Sequence, residues 1–287
     1  MPATVLRQNY GKSRVRVSTI RRTGEHHDFA ELACTIELMG DFDAAYTAAD
    51  NALVVPTDTM KNTVYALAGR HGVESAEAFA GLLAKHMHAK YAHVNAAAVR
   101  VEQTPWRRLS VAGQPHAHSF CHPGKERFCC GVMAEDGGVS QTSGLTGLQV
   151  LKTTGSAFTG YHTDELTTLR PAEDRIFATT IDAEWPCTDP DADWPATRLV
   201  VREQLLTVFA THHSESVQHT LYAMAEASLG ACVELDEISL TMPNQHHLLA
   251  DLSPFGIENN NAVFVPTDEP YGNISATIGR GEAGPVD

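Results

Sequence analysis

Three segments of this chain hold side chains able to grip a flat polar molecule. Leu148 to Arg175 (LQVLKTTGSAFTGYHTDELTTLRPAEDR) carries an aromatic ring, Phe158, and a guanidinium, Arg175. A planar heterocycle can stack on such a ring while the guanidinium donates two parallel N–H bonds to it. A core phenylalanine and a surface arginine would read the same way. Gln218 follows His212-His213-Ser214-Glu215-Ser216-Val217 at the start of a helical pattern. Its amide offers a donor and an acceptor to one edge of a ligand. Asn244 and His246 close a strand-like run, Leu240 to His246. In extended chain they face the same side, a polar anchor beside a proton carrier. His246 alone also fits a satisfied surface histidine.

Two further segments could move protons. In Val54 to Thr63 (VVPTDTMKNT) a strand-like run enters a Thr/Asp-rich turn and then a helix. N–H groups at such a helix start can hold an anion, and the Thr57 hydroxyl can donate or accept a proton. Plain helix capping by Thr57 or Asp58 is the simpler reading. The second Val-Pro-Thr-Asp, at Val265 to Asp268, lacks a following helix and is read as a loop. Lys12, in Tyr10-Gly-Lys-Ser-Arg, enters a strand. A lysine there is normally solvated and becomes a base only where burial or a nearby cation lowers its pKa.

His116, His118, Cys121, His122, Cys129 and Cys130 invite a zinc reading. No Cys-x-x-Cys or His-Glu-x-x-His spacing accompanies them. They are therefore read as one face of a ribbon, and no metal is expected. No Gly-x-Gly-x-x-Gly stands between a strand and a helical pattern (Gly279 to Gly284 fits the spacing but runs into Pro285), and Walker A and Gly-x-Ser-x-Gly are missing, so nucleotide cofactors and serine-hydrolase chemistry have no support. The formal charge is −14, from 21 Lys+Arg against 35 Asp+Glu. Such a surface repels phosphate backbones and anionic membranes. No apolar run has the length to span a bilayer, and neither a signal-peptide stretch nor a peroxisomal Ser-Lys-Leu address is seen. With six scattered cysteines, reduced thiols and a cytoplasmic location are expected.

The elements that must position these groups read as α+β. Val15–Thr19, Ala33–Leu38, Leu53–Val55, Val94–Glu102 and Val233–Leu240 are strand-like, and 106–134 reads as two strands about a turn at His122–Lys125. One helix places Phe79, Leu82, Leu83, Met87 and Tyr91 on one face after Ser75. Another places Val217, Leu221, Met224 and Ala225 on one face after Ser214 or Ser216, with Gly230 as its C-terminal stop. A shorter helix is expected from Thr59 to Gly69. Asn62–Ala68 (NTVYALA) matches His219–Ala225 (HTLYAMA) at four of seven positions. Two copies of one domain would produce this, and so would chance likeness of two amphipathic helices. The polar stretch Glu135 to Gly147 marks the natural boundary, giving domains 1–139 and 140–287. The glycine-rich end, Gly279 to Gly284, is expected to be disordered.

Taken together, these segments resemble urate oxidase (uricase), in that family's order and over nearly the whole chain. The carriers are Tyr10-Gly-Lys12, Pro56-Thr57-Asp58 with Lys61-Asn62-Thr63, and His116-Ala-His118-Ser-Phe120. Leu148–Arg175 is the most specific, and Ser216-Val217-Gln218 and Met242-Pro-Asn244-Gln-His246 complete the set. The resemblance implies two tandem T-fold domains, each an antiparallel sheet with helices on one face, and a homotetramer shaped as a tunnel with sites at subunit interfaces. It implies oxidation of urate by O2 to 5-hydroxyisourate and hydrogen peroxide, without metal or organic cofactor. Phe158 would stack on the purine, Arg175 and Gln218 would hold its edges, Val217 would add a backbone contact, and Leu169 would close the pocket. Asn244 would hold the O2 or water site. Thr57 and Asp58 would come from a neighbouring subunit, and Lys12, Thr57 and His246 would relay protons. Two alternatives stand beside this reading. One is a zinc-dependent pterin enzyme of the T-fold using His116, His118 and Cys121; the other is a non-catalytic purine-binding protein.

Overall fold

The computed structural model describes residues 3–189 and 191–281. The chain divides into two compact units, one running to Leu145 and adding Pro186–Pro195, the other formed by Thr146–Trp185 and the residues from Ala196 on.

In the first unit, strands β1 (Tyr10–Thr23) and β2 (His26–Gly40) form a hairpin. A short helix α1 (Asp43–Thr47) leads to α2 (Thr57–His71) and α3 (Ala76–Lys90). Strand β3 (Val94–Gln103), a ribbon of β4 (Arg107–Val111) and β5 (Gln114–Cys121), and β6 (Arg127–Glu135) follow. β1, β2, β3 and β6 are neighbours in one antiparallel sheet. The alternation read in the sequence sets its faces. Leu32, Cys34, Ile36 and Leu38 on β2 are buried, as are Val99 and Val101 on β3. Against them α3 lays Phe79, Ala80, Leu83, Ala84 and Met87, and α2 lays Met60, Val64 and Leu67. Each such side chain contributes roughly 1.5–3 kcal/mol by leaving water. Leu83→Ala would cost about 2–5 kcal/mol through the cavity it leaves.

Strand β7 (Gly138–Lys152) carries the chain into the second unit. There follow β8 (Phe177–Pro186), α4 (Trp194–Thr211), α5 (Val217–Ala231), β9 (Glu237–Thr241), β10 (Asn244–Leu249), β11 (Phe264–Gly272) and β12 (Ser275–Gly279). β8 pairs antiparallel with both β10 and β9, β10 pairs with β11, and β9 pairs with β12. The buried face joins Phe177, Ile181 and Trp185 of β8, Leu205 and Phe209 of α4, Leu221 and Met224 of α5, and Ile238 and Leu240 of β9. Among the described residues no helix is long and apolar enough to cross a membrane.

Several expectations need correction. Leu53–Val55 is not a strand. Val55 is buried, and its N–H and carbonyl meet the Tyr10 hydroxyl, which replaces a ladder partner. Within Glu135–Gly147, residues 136 and 137 form a tight turn between β6 and β7, and Gly138, which opens β7, takes a φ of 134°. The region 106–134 holds three strands, since Ala112 and Gly113, with φ values of 51° and 80°, add a turn. Gly230 lies inside α5, whose C-cap is Cys232. The strand expected at Val233–Leu240 begins at Glu237. Val265–Thr267 belongs to β11 and not to a loop. Of the glycine-rich end, Gly279 ends β12 and residues 282–284 lie outside the described residues.

The seven-residue match also aligned unlike elements. Residues 62–68 fall on α2, the first helix of its pair, whereas 219–225 fall on α5, the second. Duplication shows instead in element order: two strands, two long helices, then strands, in both units.

Candidate active site

A cavity of about 290 Å3 opens in the second unit, bounded by Phe158, Leu169, Arg175, Val217, Gln218, Asn244 and His246 among others. Seven of the ten residues singled out from the sequence thus meet around one space. They come from three places in the chain, and a few hydrogen bonds set their relative positions.

The first wall is the connection between β7 and β8. Gly155 takes a φ of 72°, a conformation that favours glycine. The Asp174 carboxylate accepts from the Thr154 hydroxyl at 2.7 Å and from the Gly155 and Ser156 N–H groups at 2.9 and 3.3 Å. These bonds, the hydroxyl first, hold its pKa below the usual value. The two arms of the connection then pair. Arg175 N–H donates to Ser156 O at 2.8 Å, and Phe158 and Ala172 exchange N–H···O bonds of 2.8 and 3.0 Å. Phe158 is therefore fixed by its backbone, with the Arg175 guanidinium carbon 5.3 Å from its ring centroid.

The second wall is the start of α5. Ser216 caps this helix by accepting from His219 N–H at 3.1 Å. Ser214 bonds back to the first wall, donating to Gly155 O at 3.0 Å and accepting from Ala157 N–H at 2.7 Å. This stitch places Val217 and Gln218 opposite Phe158. Val217 is 3% exposed and anchors the turn, whereas Gln218 is exposed and its side-chain amide makes no hydrogen bond among the described residues. The third wall is β10. Asn244 pairs with Thr179 of β8, and His246 pairs with Thr267 of β11 past a register shift. Both line the cavity, as do Gln245 and His247 between and after them, so strand alternation across the shift does not account for their placement.

The electrostatics favour an anion. Arg175 is half-buried, and burial lowers its pKa. A guanidinium stays protonated regardless. Its Nε–H is buried without a partner, and it makes no ion pair among the described residues. A cation withdrawn from water without a counter-charge is costly, and an anionic ligand offsets that cost.

The other three residues belong to the first unit. Gly11 gives β1 a close approach to β2; a Cβ there would sit 1.8 Å from the Ile36 carbonyl oxygen. The pairing of β1 with β2 shifts register just after Lys12, where Arg14 takes a φ of 55°. α2 begins at Thr57, earlier than the expected Thr59, with Pro56 as N-cap. Neither Thr57 nor Asp58 caps the helix, which overturns the simple capping reading. Asp58 instead accepts from Lys61 at 2.5 Å and Asn62 at 2.8 Å. The Lys61 bond chiefly lowers its pKa, and the charge of Lys12 adds to the effect. Lys12 and the start of α2 are therefore neighbours within this unit.

Among the described residues no three His, Cys, Asp or Glu side chains are grouped as a metal site requires. The His116 and His118 rings pack edge to face at 4.7 Å, and Cys121 is exposed. Sequence reading missed Asp174, Thr154 and Tyr161. Nothing local marks them, because the partners of Asp174 lie about twenty residues away along the chain. It also missed α4, although Val201, Leu205 and Phe209 recur at every fourth residue and are all buried.

The uricase family model matches residues 8–132 and 141–275. A uricase of Arthrobacter globiformis is 42% identical over 277 residues, covering 96% of this chain and 90% of that protein. A uricase of Danio rerio is 37% identical over 281 residues, covering 96% and 94%. A crystal structure of the Arthrobacter globiformis uricase superposes with a TM-score of 0.91 at 39% identity, covering 100% of this chain and 98% of that one. A uricase from Bacillus fastidious shares the fold, with a TM-score of 0.83 at 24% identity.

Proposed function

The chain belongs to the uricase family and oxidises urate, and we propose that it does so through the cavity of its second unit, completed by the first unit of a neighbouring subunit. The observation that carries this is the unpaired, half-buried Arg175 beside Phe158, opposite the free amide of Gln218. A flat anion with amide edges matches that set. Phe158 takes its face, Arg175 and Gln218 take its edges, Val217 adds a backbone contact, and Leu169 closes the mouth.

Dioxygen is a triplet and reacts slowly with closed-shell molecules. A substrate can do without a redox cofactor only if it becomes electron-rich. Urate is a monoanion at neutral pH, and loss of a second proton raises its donor strength. In this reading Lys12 receives that proton through the Thr57 hydroxyl, and His246 passes protons onward. Arg175 offsets the dianion's charge. Asn244 holds O2, and then water, above the ring. Urate gives two electrons to O2, which leaves as hydrogen peroxide, and water adds its oxygen to give 5-hydroxyisourate. The register shift beside Lys12 and the uncapped start of α2 support the relay, since both leave polar groups available.

Lys12 and Thr57 of the relay belong to the first unit, whereas His246 and the cradle belong to the second, which supports a homotetramer with shared sites. The chain is read as two tandem T-fold domains, 1–139 and 140–287. The six scattered cysteines support a reducing, cytoplasmic setting. The long-range field of an acidic chain opposes urate, so attraction must come from Arg175 and Lys12 at short range. The test mixes urate with metal-free protein and follows loss of its near-ultraviolet absorbance alongside O2 uptake. Equal consumption of both supports the cofactor-free reading. Oxidation that requires added metal overturns it.

A further inference from the structure

One aromatic beside the cavity remains without a role. Tyr161 stacks on Phe158 with ring centroids 4.9 Å apart and planes at 14°. Its hydroxyl donates to the Leu169 carbonyl at 2.7 Å. Phe158 and Leu169 both line the cavity, whereas Tyr161 does not. The tyrosine therefore covers the face of Phe158 turned away from the ligand space, and its hydroxyl spans from one arm of the connection to the other. Between them the tip is closed by Asp164, which accepts from Leu166 N–H at 2.9 Å while the Thr167 hydroxyl bonds to it at 3.0 Å. The Asp174 clamp fixes the base of this connection, and Tyr161 is the tie at its middle.

We propose that Tyr161 is a positioning residue of the pocket, seating the Phe158 ring from behind and holding Leu169 over its mouth. This rests on the reading of the cavity as the purine site. A ring free on both faces can tilt about its side-chain torsions; one face held by a parallel ring leaves the other presented flat. Leu169 is 59% exposed, so apolar packing alone does not hold it. The carbonyl bond to Tyr161 does. Seating and closure act on ligand capture and not on proton transfer, because the tyrosine reaches neither the cavity nor a relay group.

Two substitutions separate the functions. Tyr161→Phe keeps the stack and removes the tie to Leu169. Tyr161→Leu removes both. The readouts are the dissociation constant for xanthine, a purine dione without the C8 oxygen, and KM against kcat for urate. Tyr161→Phe is expected to raise KM about 3-fold, and Tyr161→Leu to raise both KM and the xanthine constant about 10-fold or more. In both, kcat stays within about 2-fold. A purely structural residue would lower the melting temperature and leave the affinity of the folded protein unchanged. Tyr161→Leu protein that folds and binds xanthine like the parent overturns the proposal. Parent protein that binds no xanthine and turns over no urate overturns the purine-site reading instead.

Discussion

The opening hairpins of the two units differ at one place. β1 and β2 are joined by the tight turn at Gly24 and Glu25, with Gly24 at a φ of 64°. β7 and β8 are joined by residues 153–176, which carry Phe158, Leu169 and Arg175. The element order is the same, yet one connection only reverses the chain while the other builds a wall of the cavity. A second contrast lies at the second helix of each pair. Ser75 caps α3 through Ala78 N–H, as Ser216 caps α5 through His219 N–H. Two residues after each serine stand Glu77 and Gln218. Glu77 is 4% exposed and accepts from the Ser143 hydroxyl at 2.7 Å, whereas Gln218 faces open space. A buried carboxylate must be occupied by a donor; an exposed amide is free for a ligand. The cavity is thus built from what is attached to the repeated frame and from what a shared helix start leaves exposed.

The largest effect expected comes from the first unit. Lys12→Met should lower kcat by about 10²–10⁴-fold, the range for losing a general base, while xanthine binding persists. Unchanged turnover would take Lys12 out of the mechanism and confine the chemistry to the second unit. Next, Arg175→Ala should weaken xanthine binding by about 2–4 kcal/mol, the usual cost of losing a buried charged partner. A calorimetric loss of only a few tenths would deny Arg175 contact with the ligand.

A matched pair sharpens the helix comparison. Ser75→Ala and Ser216→Ala should each cost about 1 kcal/mol in stability, because each removes an N-cap acceptor. Only Ser216→Ala should also raise KM, since only that helix start lines the cavity. If both raise KM alike, the two helix starts are not functionally distinct. The smallest effect concerns His212, whose ring lies 4.4 Å from that of His219. Burial first, then the neighbouring His219, lowers its pKa below the ordinary 6.5. The unfolded chain therefore takes up this proton first as the pH falls below 6.5. His212 thus leaves stability intact above that pH and lowers it through the window down to the depressed folded-state pKa. Melting curves of His212→Gln should show a shallower fall there than the parent; parallel curves would remove His212 from the acid response.

The strands and helices that form the core were legible because burial imposes a period. Leu32, Cys34, Ile36 and Leu38 alternate, and Phe79, Leu83 and Met87 recur with the helix. Capping serines 75 and 216 were legible too, since a cap is a local bond. Leu53–Val55 misled because an apolar triplet carries no sign of its partner, and that partner is a tyrosine hydroxyl from β1. The seven-residue repeat misled because amphipathic helices resemble one another whatever their place in a fold.

The resemblance found in the sequence pointed to a ring, a guanidinium, amides and a histidine that line one cavity. Side-chain chemistry and chain order are written residue by residue. What only the tertiary structure decided is which of them share a cavity, and what holds them there. The Asp174 clamp on Thr154, Gly155 and Ser156, the stitch from Ser214 to Gly155, and the bond from Tyr161 to Leu169 join residues that the sequence keeps apart. Such bonds form only after the sheet and helices have brought distant backbone within about 3 Å. No local pattern encodes that approach, so the site's composition belongs to the sequence and its geometry to the fold.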